Sequence, residues 1–138
     1  MQVRRGCGTC PGLCAMNRYV AYPTLAIVDD DPAVRHALTF AFDAAGIGAA
    51  SFEDAESTLR AAGAQAWRCL VLDQNLPGIS GLDLLDRLRS RGIVAPAILI
   101  TTNPSGDTLT RAGRSGIEIC EKPLLGDGLV ERVRVLTA

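Results

Sequence analysis

The stretch Leu25-Ala26-Ile27-Val28-Asp29-Asp30-Asp31-Pro32 decides the fold. Four apolar residues in a row show no inside-outside alternation. That is the pattern of a strand buried on both faces, and such strands belong to parallel sheets covered by helices. The run stops at three aspartates. Asp31 reads as a helix N-cap, with Pro32 at the first helical position, where its missing N–H costs nothing. Val34, Ala37, Leu38 and Ala41 then recur at helical spacing to about Ala45, and Gly46 closes the helix.

Outward from there the alternation repeats. Residues 48–52 read as a second strand, weak because its residues are small, and 53–62 as a helix with Ala55 and Leu59 on one face. Cys69-Leu70-Val71-Leu72 is a third apolar run and ends at Asp73; Leu76-Pro77-Gly78 is a loop. Residues 81–91 predict a helix with Leu84, Leu85 and Leu88 inward. Ala97-Ile98-Leu99-Ile100 ends at Thr101, and 108–114 predict a short, poorly apolar helix containing Gly113, with Leu109 and Ala112 as its anchors. Residues 117–120 form a fifth run before Glu121-Lys122-Pro123, and Leu129, Val133 and Leu136 mark a last helix. Five strands alternating with five helices predict an α/β domain around a parallel sheet, with helices on both faces.

Composition agrees with one globular domain. The chain has 138 residues and net charge −1, with 48% hydrophobic and 21% charged residues. The longest apolar stretch, 19–28, is too short for a bilayer and contains Pro23 and Thr24. A near-zero charge argues against a nucleic-acid binder that relies on phosphate contacts. Residues 1–23 differ in kind: they carry Arg4, Arg5 and Arg18 and no acid, whereas the rest carries 11 basic and 15 acidic residues. We read 1–23 as an extension that is disordered or a start-site artefact (Met16 being the alternative start) and 24–138 as the domain. Cys7, Cys10 and Cys14 have the spacing that could begin a zinc or iron–sulfur site, but a fourth ligand is missing. An odd cysteine count and the lack of a signal-peptide pattern predict a cytoplasmic protein. His36 reads as a surface residue, Trp67 as packing at the domain edge, and Phe40 and Phe42 as core or helix-face packing.

In an open parallel sheet, ligands bind beyond the carboxyl ends of the strands. Asp29, Asp30 and Asp31 follow the first strand, Asp73 the third, Thr101 and Thr102 the fourth, and Lys122 the fifth. Lys122 is the one lysine beside 13 arginines. Close carboxylates repel one another, and a hard divalent cation relieves that repulsion. A carboxylate nucleophile, a cation site, a hydroxyl and a lysine are the parts needed to transfer a phosphoryl group onto an aspartate.

From Thr24 onward the chain resembles the receiver domains of two-component response regulators, of the chemotaxis-regulator type. The segments that carry the resemblance are Leu25 through Pro32, CLVLDQNLPGISGLDLL from Cys69 to Leu85, Ile98-Leu99-Ile100-Thr101 and Glu121-Lys122-Pro123. The resemblance implies a flavodoxin-like fold with strand order 2-1-3-4-5. It implies Asp73 as phosphoacceptor, Mg²⁺ as cofactor, and Asp29, Asp30, Asp73 and the backbone carbonyl of Asn75 as its ligands. Thr101 and Lys122 would meet the phosphoryl group. The partners it implies are a sensor histidine kinase or phosphotransfer protein and a downstream protein not named by the sequence, with a homodimer left open. No membrane, DNA-binding domain in this chain or turnover of a substrate is implied.

Two positions depart from the family. Ile119 stands where a switching Tyr or Phe is usual, so the usual coupling of threonine to an aromatic ring lacks its ring. Thr102 is bulkier than the small residue common there and narrows access to the phosphoryl group. Read as a stand-alone domain, the chain would act by docking to partners. The alternatives are a phosphate sink or shuttle, a degenerate receiver acting as a fixed module, and a haloacid-dehalogenase-type phosphatase through Asp29-x-Asp31.

Overall fold

The computed structural model describes residues 24–64, 66–122 and 128–137. The elements alternate as β1 (Leu25–Val28), α1 (Pro32–Ala44), β2 (Ala49–Phe52), α2 (Ala55–Ala61), β3 (Cys69–Asp73), α3 (Gly81–Ser90), β4 (Ala97–Thr101), α4 (Gly106–Ser115), β5 (Glu118–Glu121) and α5 (Gly128–Thr137). All neighbouring strands pair parallel, in the order β2-β1-β3-β4-β5. Cys7, Cys10, Cys14 and Met16 lie outside the described residues, as does Pro123. No helix among the described residues is long and apolar enough to cross a membrane.

The apolar runs fold as buried strands because each face of the sheet has its own core. Leu25 and Ile27 of β1, Cys69 and Val71 of β3, and Ile98 and Ile100 of β4 pack with Leu38 and Phe42 of α1 and Leu129 and Val133 of α5. The alternate residues Ala26, Val28, Leu70, Leu72, Ala97 and Leu99 turn the other way, onto α2, α3 and α4. Leu82, Leu84, Leu85 and Leu88 make α3 the most deeply buried helix of that layer. Each fully buried leucine contributes about 1.5–3 kcal/mol, so this pairing of central strands and α3 is the rigid base of the site. Trp67 is buried and meets Phe52 edge-on, with ring centroids 5.6 Å apart.

Several boundaries differ from the sequence reading. Helix α2 starts after Glu53, because Asp54 caps it with a 2.8 Å bond from Ser57 N–H. Helix α4 runs over ten residues, longer than expected. Ser105 caps its start and Gly116, at φ 69°, ends it in the left-handed conformation that glycine adopts at low cost. Ala112 is its buried residue, while Leu109 is 51% exposed and so is a weaker anchor than expected. An exposed ion pair also joins α4 to α3: Arg111 forks between Asp83 (2.8 Å) and Asp86 (2.6 Å). Phe42 is in the core, but Phe40 is 73% exposed. Two residues from both Leu38 and Phe42, it is rotated about 200° away from the buried stripe.

Candidate functional site

The site is built by strand register. Val28 pairs with Leu72, so the next residues, Asp29 and Asp73, emerge side by side at the carboxyl ends of β1 and β3. Asp73 pairs with Ile100 of β4, and Thr101 follows. Lys122 is placed from the far edge: its N–H bonds the Thr101 carbonyl at 2.8 Å, extending the β4–β5 ladder by one residue. Thus four strands bring two acids, a threonine and the lysine to one edge of the sheet.

Asp29 is fully buried, and Asp73 and Thr101 are each 2% exposed. Each acid is held in the same way. Oδ1 of Asp29 accepts the N–H of Asp31 at 2.9 Å, and Oδ1 of Asp73 accepts the N–H of Asn75 at 3.1 Å. That leaves each Oδ2 for Lys122, whose Nζ lies 3.2 Å from Asp29 and 3.5 Å from Asp73. Burial pushes the Asp73 carboxyl up to about 6; the charge of Asp29 adds to this, while the Asn75 N–H and the Lys122 ammonium oppose it. Burial also works against charge on Lys122, but its hydrogen bond to Asp29 and the two carboxylate charges outweigh it and raise its pKa.

Asp29, Asp30 and Asp73 each offer a carboxylate oxygen, all within 4.8 Å of one another. Fully ionised, three carboxylates against one ammonium leave two uncompensated negative charges. A donor set of hard oxygens with that deficit fits Mg²⁺. Asp30 is exposed, so the group is open to solvent on one side.

The other residues singled out in the sequence are placed as follows. Asn75 is exposed beside Asp73, and Thr102 is exposed beyond Thr101. Asp31 is occupied as the N-cap of α1, accepting the Ala33 N–H at 2.9 Å. Ile119 packs, partly buried, against the core layer beneath α2, α3 and α4. His36 is exposed. Sequence reasoning missed three residues. Arg35 donates to the Asp29 backbone carbonyl at 2.7 Å. Gln74 bonds the start of α3 through its backbone and its side chain. At Gly81, a Cβ would lie 2.5 Å from the Asp73 carbonyl oxygen. Only for Gly81 was there a signal, a glycine at the head of an otherwise leucine-rich helix.

The family profile of the response regulator receiver domain matches residues 25–134. The chain belongs to this family. It is 32% identical over 108 residues to the transcriptional regulatory protein FixJ of Bradyrhizobium diazoefficiens, covering 78% of this chain and 53% of FixJ. It is 35% identical over 116 residues to the C4-dicarboxylate transport transcriptional regulatory protein DctD of Pseudomonas aeruginosa, covering 83% of this chain and 25% of DctD. Among solved structures, the receiver domain of Francisella response regulator 1452 superposes with a TM-score of 0.76 at 26% identity, covering 83% of this chain and 96% of that one. This receiver therefore spans about half the length of FixJ and a quarter of DctD. The strand order implied by the resemblance is the order found. A phosphatase built on Asp29-x-Asp31 is not favoured, since the family differs and Asp31 is spent as a helix cap.

Proposed function

We propose that this receiver takes a phosphoryl group onto Asp73 from a phosphohistidine of a sensor kinase or phosphotransfer protein, in the cytoplasm, and that the modified face then changes its protein partners. The observation that carries this reading is Lys122 lying between the Oδ2 atoms of two buried aspartates, beside Thr101. In the transfer, an oxygen of Asp73 forms a bond to phosphorus as the N–P bond of the donor breaks, and the histidine nitrogen keeps the electron pair. Asp29, Asp30 and Asp73, with the Asn75 carbonyl, would hold Mg²⁺. When bound, Mg²⁺ supplies positive charge to the carboxylates and to the phosphoryl oxygens.

The chain's own residues do the rest. The Asn75 N–H holds Oδ1 of Asp73, so Oδ2 is the oxygen presented toward Lys122. The Lys122 ammonium is kept charged by Asp29 and can pass from the acceptor to the phosphoryl group without leaving the site. The Thr101 hydroxyl can donate to a phosphoryl oxygen. The product gains about 1.5–2 negative charges, beside an exposed Asp30 and an exposed β4–α4 loop. With Ile119 in place of a ring, that change has no aromatic rotation to carry it and acts first on the exposed loop ahead of α4. The receiver catalyses at most its own phosphorylation and dephosphorylation.

Incubation with Mg²⁺ and acetyl phosphate, followed by intact mass, tests the acceptor. A Mg²⁺-dependent adduct that is absent from Asp73→Asn supports the reading. Unchanged labelling of Asp73→Asn removes Asp73 as acceptor.

A further inference from the structure

Helix α3 starts with two layers of N-terminal bonding. Ser80 is the ordinary N-cap, its Oγ accepting the Asp83 N–H at 3.1 Å. Gln74, on the strand side of the loop, adds a second set. Its carbonyl accepts the Gly81 N–H at 3.0 Å, and its side-chain Oε1 accepts the Leu82 N–H, also at 3.0 Å. Its own N–H bonds the Ile100 carbonyl of β4 at 3.0 Å. One residue thus ties β4, the base of the β3–α3 loop and α3 together. Ser80 satisfies only the Asp83 N–H of this first turn. Gln74 satisfies those of buried Gly81 and Leu82, so its bonds serve the helix start, but they do so from the far side of the loop, eight residues away from Leu82.

Those bonds also control the acceptor loop. Gln74 stands between Asp73 and Asn75, and the Asn75 N–H restrains Oδ1 of Asp73. The same loop meets α3 without slack, because the Gly81 Cα lies so close to the Asp73 backbone that even a methyl group would collide with it. A turn in the Gln74 backbone would swing both the Asn75 N–H and its carbonyl.

We propose that Gln74 is a positioning residue of the phosphoacceptor, its side-chain amide locking the β3–α3 loop so that Asp73 and the Asn75 carbonyl hold one geometry. The role rests on Asp73 being the acceptor, and its test separates the two claims. Partners one shell outside a metal site typically alter affinity 10–100-fold when removed, and small misplacements of reacting atoms cost comparable rate.

The experiment compares wild type, Gln74→Met, Gln74→Ala and Gln74→Glu in the full chain. Three quantities are read: the Mg²⁺ dissociation constant by titration, the acetyl phosphate labelling rate at saturating Mg²⁺, and Tm in EDTA. Gln74→Met keeps the length of the side chain without its carbonyl; Gln74→Ala is the second deletion should the first not fold. Gln74→Glu keeps an oxygen facing the α3 N–H groups, where negative charge is tolerated. Expected is a roughly tenfold weaker Mg²⁺ affinity and a roughly tenfold slower labelling in the deletions, with Gln74→Glu close to wild type. A deletion that lowers Tm but leaves Mg²⁺ affinity and labelling rate unchanged overturns the proposal and makes Gln74 a second helix cap only. A wild type that takes no phosphoryl group sinks the acceptor reading and with it the role of Gln74 toward an acceptor; weaker Mg²⁺ binding in the deletions then shows Gln74 positioning Asp73 and the Asn75 carbonyl as metal ligands only.

Discussion

Replacing Asp73 with its neutral isostere should stabilise the metal-free protein. Asp73 has its carboxyl raised from 3.8 to about 6, first by burial and then by the Asp29 charge. The sign follows from proton counts. Between these two values the folded state binds more protons than the unfolded one, so stability falls as pH rises from about 4 to 6, and the penalty is complete above the folded value. Two pKa units correspond to about 3 kcal/mol at 1.36 kcal/mol each. This figure already includes the attraction of Lys122 and the Asn75 N–H, since both act on the shift. Asp73→Asn keeps an oxygen for the Asn75 N–H and offers an N–H toward Asp29. We therefore expect Asp73→Asn to be more stable than wild type by 2–3 kcal/mol at pH 7.5 in EDTA, about 10 °C in Tm for a domain of this size, with the difference gone by pH 4. Urea denaturation at both pH values, with m unchanged, measures it. Equal stabilities at pH 7.5, or a gain that is the same at pH 4, would refute the reasoning. Adding Mg²⁺ should narrow the gap, because a ligand bound to the folded state alone stabilises the protein that binds it better.

Lys122→Met leaves buried Asp29 and Asp73 facing each other without their shared cation. We expect a loss of about 2 kcal/mol at pH 7.5, less than for a fully buried pair because water reaches Lys122. The loss shrinks as pH falls toward about 6, because Asp73 without the Lys122 charge that lowers its pKa takes a proton at higher pH than in wild type; denaturation across pH measures it. Gly81→Ala forces its Cβ into the Asp73 carbonyl oxygen and within 3.0 Å of Leu99 Cδ1. Overpacking of that kind costs about 1–3 kcal/mol, and the displaced Asp73 backbone should also slow acetyl phosphate labelling, whereas a variant that labels at the wild-type rate would show the backbone absorbing the methyl elsewhere.

What was legible in the sequence is what local chemistry dictates. The apolar runs ending in Asp29, Asp73 and Thr101 declare strands buried on both faces, and each run hands its chemistry to the same sheet edge. Lys122 was legible as the odd cation out, and Asp31 as a cap. What was not legible depends on chain segments meeting. Arg35 reaches back six residues to a backbone carbonyl, and Gln74 reaches forward eight to a backbone N–H; neither pairing leaves a trace in residue type. The division of Lys122 between two acids, closer to Asp29 than to the expected acceptor, needed coordinates as well. Phe40 was misjudged on residue type, although its helical position places it away from Leu38 and Phe42. The extent of α4 was misjudged because Ser105 and Gly116, not apolar anchors, set its ends.

The bond from Lys122 to Asp29 spans 93 residues of sequence. During synthesis the amino-terminal strand, with its acids, emerges long before the lysine that neutralises them. Until β5 docks on β4, Asp29 and Asp73 face one another without that cation, and the sheet edge stays short of its last strand. A nascent or truncated chain therefore presents the proposed acceptor, Asp73, without the cation proposed to steady its phosphoryl group. On the proposed roles of Asp73 and Lys122, chemical competence arrives with β5, so a phosphorylatable receiver is also one whose chain has been made and folded through residue 122.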